Sequence, residues 1–155
     1  MEITKNEYGE PVYDKENFDI KTMDELAIGD IVLIKQNVAK ILSKSKSFPG
    51  KHGYSKVYIK CVGLFDDKLY EEMMRSECNI LIPKIHYNIL NFNNFSFPTH
   101  IELFREDTNE IIECVLDTKL DCEIIKQILE KKSNSVDIKV RVIKFLHWIR
   151  IIDIC

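Results

Sequence analysis

From Asp30 onward, apolar and polar positions alternate in short runs separated by turn-forming residues. Residues 31–35, 39–42, 56–65 and 68–72 are rich in Val, Ile, Leu and aromatic side chains, the pattern of half-buried strands. Many short strands at this spacing predict a small closed barrel rather than a sheet covered by helices. At Ile82-Pro83-Lys84 a proline interrupts an apolar stretch with too little Gly or Ser nearby for a long linker. A boundary between two compact halves is expected there.

The second half opens with Tyr87-Asn-Ile-Leu-Asn-Phe and alternates again over residues 100–105 and 111–117. Between Asp121 and Lys132 the period changes. Ile124, Ile125, Ile128 and Leu129 fall at helical spacing, acids occupy the first turn and Lys131 and Lys132 the last, as the helix dipole favours. Residues 136–144 and 148–154 return to strand patterning, with Trp148 beside Phe145 and Leu146 expected in the core. About five strands plus one short helix is the inventory of an OB-fold, which commonly binds nucleic acid. Residues 1–22, with Glu2, Glu7, Glu10, Asp14, Glu16 and Asp19, read as an acidic, mobile arm. The expected organisation is therefore a mainly β chain: an arm (1–22), a first barrel (23–83) and an OB-fold domain (84–155).

Composition narrows the class. At 155 residues, a net charge of −3 and 45% hydrophobic residues, this is an ordinary globular chain of one or two small domains. No apolar run approaches the roughly 18 residues of a membrane span, and the amino terminus lacks the apolar core of a secretory signal, so a cytoplasmic protein without membrane contact is expected. The five cysteines include no Cys-x-x-Cys pair and read as free thiols or small core hydrophobes. No ligand spacing supports a metal, and no triad or phosphate-cradling glycine loop supports an enzyme.

Charge is local. From Ile31 to Phe65 there is no Asp or Glu, while Lys35, Lys40, Lys44, Lys46, Lys51, Lys56 and Lys60 all fall there. Such a stretch points to a polyanion partner. At its centre stands Pro49-Gly50-Lys51-His52-Gly53, between runs expected to be neighbouring strands. Gly50 and Gly53 free the backbone and clear side chains from beside Lys51, which suits a lone amine projected into a narrow crevice. On the tetrapeptide alone, a plain polar hairpin turn is the alternative. For a nucleic-acid partner, Lys44, Lys46 and Lys56 would sit on phosphate, and Phe48 and Tyr54 would lie either against bases or packed beside the loop itself.

Residues 39–57, Ala-Lys-Ile-Leu-Ser-Lys-Ser-Lys-Ser-Phe-Pro-Gly-Lys-His-Gly-Tyr-Ser-Lys-Val, closely resemble the hypusine-loop region of the eukaryotic and archaeal translation factor 5A family. Phe65, Lys68, Tyr70, Glu71, Asn79, Pro83 and Ile85 extend the match, which continues more faintly to the last strand. The resemblance implies an SH3-like amino-terminal barrel with Lys51 as the hypusine site: deoxyhypusine synthase adds an aminobutyl group from spermidine, and deoxyhypusine hydroxylase completes the residue. No further cofactor is implied. Gly50, His52 and Gly53 would serve the loop and recognition by those enzymes. The partners implied are the ribosome, through its rRNA and proteins, and peptidyl-tRNA, whose acceptor end the modified side chain would steady to promote peptide-bond formation at stalling sequences and to support termination.

Two positions depart from the family pattern. Ser47-Phe48-Pro49-Gly50 stands where Ser-Lys-Thr-Gly or Ser-Lys-Pro-Gly is usual, and Tyr54-Ser55 replaces a small or polar pair, commonly His-Ala. Two other functions fit the same residues: a structural, self-assembling relative of the fold, against which the intact Gly50-Lys51-His52-Gly53 argues, and a generic RNA-binding module with unmodified Lys51.

Overall fold

In the first unit, Met1–Lys84, the strands are β1 (Thr4–Lys5), β2 (Pro11–Val12), β3 (Phe18–Thr22), β4 (Ile31–Ile34), β5 (Asn37–Ser47), β6 (Lys56–Gly63), β7 (Leu69–Arg75) and β8 (Asn79–Pro83), with a 3-10 turn at Met23–Glu25. The computed structural model describes residues 3–48, 54–96, 100–117, 121–133 and 137–155.

Strands β4 to β7 form an antiparallel meander, β3 pairs with β8, and β1 with β2. Alternation along β6 explains the layering: Val57, Ile59, Cys61 and Gly63 are buried, while Lys56 and Lys60 face out. Val57, Ile59 and Cys61 meet Met23, Leu26, Val32, Ile34, Ala39, Ile41 and Ile80 in one apolar core. This is an SH3-like barrel.

The barrel begins earlier than the sequence indicates. Residues 18–22 were expected in the acidic arm, yet Phe18 is 1% exposed and pairs with Pro83. Burying that ring contributes about 2 kcal/mol towards ordering the strand. The arm assignment for residues 18–22 is thereby corrected: they belong to the sheet.

The second unit, Ile85–Cys155, comprises β9 (His86–Ser96), β10 (His100–Phe104), β11 (Ile111–Val115), α1 (Cys122–Ser133), β12 (Lys139–Phe145) and β13 (Trp148–Ile154). Its strand order is β11-β10-β9-β12-β13. The thiol of Cys114 on β11 lies 3.8 Å from the Ile149 carbonyl oxygen on β13, so the two edges of the sheet meet. A helix between the third and fourth strands of a five-stranded closed sheet defines the OB-fold. Ile128 of α1 is fully buried with Leu90, Ile101, Leu103, Val140 and Ile151. Phe145 is buried as expected, but Trp148 is only half-buried and Leu146 occupies a turn at φ 52°.

All five cysteines are free. Among the described residues, no helix is long and apolar enough to cross a membrane, and no cluster of three or more His, Cys, Asp or Glu could hold a metal ion.

Candidate functional site: the arms flanking residues 49–53

The site is built by the length of β5. After Ile41 the register with β6 shifts, leaving Leu42 as an extra, exposed residue. The bulge twists the strand and resets which side chains face inward. Beyond it, β5 and β6 continue as a paired ribbon to the rung Ser47↔Lys56, which delivers the chain into the segment carrying the glycine-flanked lysine. Gly50, Lys51, His52 and Gly53 lie outside the described residues.

Register then sorts the lysines. Lys44 stands opposite Ile59 and Lys46 opposite Val57, so both share the side of the ribbon whose β6 partners are buried. There they reach the 3-10 turn. Lys44 Nζ donates to the backbone oxygens of Asp24 and Leu26, each at 2.7 Å. Lys46 Nζ donates to Asp24 Oδ1 at 2.6 Å. The Lys46 hydrogen bond and charge hold the Asp24 carboxyl below its ordinary range, with Lys44 adding a smaller effect.

The descending arm is tied to the same place. Ser76 N–H donates to the Ser55 carbonyl oxygen at 3.0 Å, their hydroxyls meet at 2.6 Å, and Asp24 N–H donates to the Ser76 carbonyl oxygen at 3.1 Å. Asp24 therefore links both arms, through its carboxylate to β5 and through its amide to Ser76 and Ser55. Sequence reading missed Asp24 and Ser76, because they lie outside the acid-free stretch and only folding brings them to it.

The opposite face of the ribbon is open. Ser47, Lys56 and Arg75 form one rung across β5, β6 and β7; Ser45, Tyr58 and Met73 the next; Ser43, Lys60 and Glu71 the third. Lys60 Nζ lies 5.9 Å from the Tyr58 ring centroid, and a hydrogen bond to Glu71 pushes the Tyr58 hydroxyl pKa up. Of the expected RNA-binding lysines, the structure thus separates Lys56, which faces out, from Lys44 and Lys46, whose amines are engaged within the barrel. Lys60 and Arg75 join Lys56 instead.

The two aromatic positions stand at the two ends of the described arms. Phe48 is 77% exposed with Lys46 Nζ 5.3 Å from its ring centroid. Tyr54 is 59% exposed with the Arg75 guanidinium carbon 4.1 Å from its centroid. Both distances lie within cation–π range.

The chain thus carries an SH3-like barrel with a paired basic ribbon, followed in sequence by an OB-fold. Residues 21–78 match the family model described as translation initiation factor 5A-like, N-terminal. Translation initiation factor 5A of Pyrococcus furiosus is 28% identical over 108 residues, 70% of this chain and 78% of that protein. Eukaryotic translation initiation factor 5A-1 of Schizosaccharomyces pombe is 35% identical over 66 residues, 41% of this chain and 42% of that one. Among solved structures, a translation initiation factor 5A family protein from Naegleria fowleri superposes with a TM-score of 0.76 at 21% identity, covering 89% of this chain and 98% of its own. The factor 5A structure from Methanococcus jannaschii gives 0.67 at 16% identity, covering 89% and 97%.

Residues 21–78 thus match the amino-terminal domain of translation factor 5A proteins, and the likeness to proteins of that name extends over most of the chain. Those relatives carry the names of translation factors rather than of enzymes.

Proposed function

We propose that this chain acts on the ribosome beside peptidyl-tRNA, through a hypusine formed on Lys51. Deoxyhypusine synthase would transfer the aminobutyl group of spermidine to Lys51 Nζ: a new N–C bond forms, the C–N bond within spermidine breaks, and the aminopropyl part leaves as a diamine. Deoxyhypusine hydroxylase would then hydroxylate the new arm, one atom of dioxygen entering a C–H bond and the other leaving as water with two electrons from an external reductant. The observation that carries this reading is the position of Gly50-Lys51-His52-Gly53, between β5 and β6 of the unit that matches the family model.

The extension roughly doubles the reach of a four-carbon stem and adds a second amine. Held against the tRNA acceptor end, it would lower the entropic part of the barrier to peptide-bond formation while the ribosome keeps the chemistry. The open face of Lys56, Lys60 and Arg75 would contact phosphate, with affinity falling as salt rises. The protein would work in the cytoplasm without membrane contact.

Lys51→Arg preserves charge and blocks modification. In a strain depleted of its own factor, the wild-type chain should restore growth and this variant should not; full rescue by the variant contradicts the mechanism.

A further inference from the structure

The positions where the chain departs from the family pattern, Phe48 and Tyr54, are the two described residues that border 49–53, and each ring carries a cation. Neither ring is held by burial. On the ascending side the cation is Lys46, itself fixed by Asp24 at 2.6 Å. On the descending side it is Arg75, the last residue of β7, which also lies 3.9 Å from Glu77. The adjoining residues Ser55 and Ser76 are joined by backbone and hydroxyl hydrogen bonds. Each side thus runs from barrel to cation to ring to the edge of the lysine segment.

We propose that Phe48 and Tyr54, anchored by Lys46 and Arg75, are a matched pair of positioning residues that brace the two ends of the lysine-bearing segment for its modifying enzyme. This rests on the reading of Lys51 as the modified residue. A modifiable lysine on an unbraced segment meets the enzyme less often in a productive pose, so bracing acts on productive encounter rather than on the transfer step. A cation–π contact at an exposed site corresponds to about a two- to five-fold effect.

The test measures aminobutyl transfer from spermidine by purified deoxyhypusine synthase, with the full chain as the varied substrate. Lys46→Gln and Arg75→Gln should each raise KM about two- to five-fold, and together about tenfold, with kcat unchanged; Arg75→Gln should leave the thermal midpoint in place, while Lys46→Gln lowers it slightly through loss of the Asp24 ion pair. Lys46→Arg, which keeps a cation over the ring and a partner for Asp24, should restore KM. The pair Phe48→Leu and Tyr54→Leu removes the rings while keeping the cations, and should reproduce the double-variant effect should the glutamine pair fail to fold. Unchanged KM in a folded double variant overturns the proposal. If the wild-type chain accepts no aminobutyl group, the reading of Lys51 has failed, and backbone order parameters at Phe48 and Tyr54 decide the bracing separately: lower values in the glutamine variants support it, identical values overturn it.

Discussion

Asp24 and Lys46, 22 positions apart in sequence, meet at 2.6 Å, while the Asp24 amide donates to Ser76, whose own amide donates to Ser55 on the other arm. An acid in a 3-10 turn thereby governs two strands that carry no acid. Because the carboxyl is held below its ordinary value of 3.8, chiefly by the Lys46 hydrogen bond, the ion pair is fully formed at neutral pH. Its contribution is present above the unfolded carboxyl pKa and is lost as pH falls through the lower folded value. A carbon-detected NMR titration of Asp24 should give a midpoint below 3.8 in the wild type and one returning towards 3.8 in Lys46→Gln. An identical midpoint in both proteins would dissolve the link.

Lys44 and Lys56 should separate cleanly in experiment. Lys44→Ala removes a charged donor from two backbone oxygens and should cost the first barrel about 1–2 kcal/mol, with little change in the salt dependence of binding to ribosomes or RNA. Lys56→Ala, on the open face, should leave stability within about 0.5 kcal/mol and lower the magnitude of the salt slope by about 1. Chemical unfolding and filter binding at several salt concentrations check the pair, and reversed behaviour would assign the faces wrongly.

Gly63, at the end of β6, has no room for a side chain. A Cβ there would run into the Asp66 carboxylate, which accepts hydrogen bonds from the Tyr70 hydroxyl and the Lys68 amide. Gly63→Ala should destabilise the first barrel by about 1–3 kcal/mol, read as a lower thermal midpoint. Truncating the obstacle as well, in Gly63→Ala with Asp66→Ala, should cost less than the sum of the two single changes.

Thiol chemistry should follow burial. Burial pushes the Cys61 and Cys114 thiols up to about 11, with Asp121 adding to the shift at Cys114. Cys122 and Cys155 are exposed. At pH 8 a maleimide should label Cys122 and Cys155 promptly, and Cys61 and Cys114 only on unfolding. Peptide mapping identifies the sites, and fast labelling of Cys61 would contradict the packing of β6.

Strands with one buried face were legible because their alternation is strong: β6, β10 and β13 begin where the hydrophobic pattern places them. Other elements gave weaker signals. The outer part of β5 alternates Ser with Lys from Ser43 to Ser47, which carries no apolar cue, so the strand runs farther than residues 39–42 suggest. In β3, Phe18 alone is fully buried, and its flanking acids made it look like part of an arm. The candidate site was legible as a motif but not as a surface. Which lysines reach the open face depends on the bulge at Leu42 and on pairing across β6, and neither is written in local sequence. The acid-free stretch also overstated the available charge, since Asp24 and Glu71 are delivered to it from outside by the fold.

Intact-mass analysis followed by peptide mapping, on the protein purified from its native cell, tests the central claim most directly. The account predicts one aminobutyl group and one oxygen added together on Lys51, with the neighbouring lysines bare. An unmodified Lys51 in protein isolated from actively translating cells would contradict it.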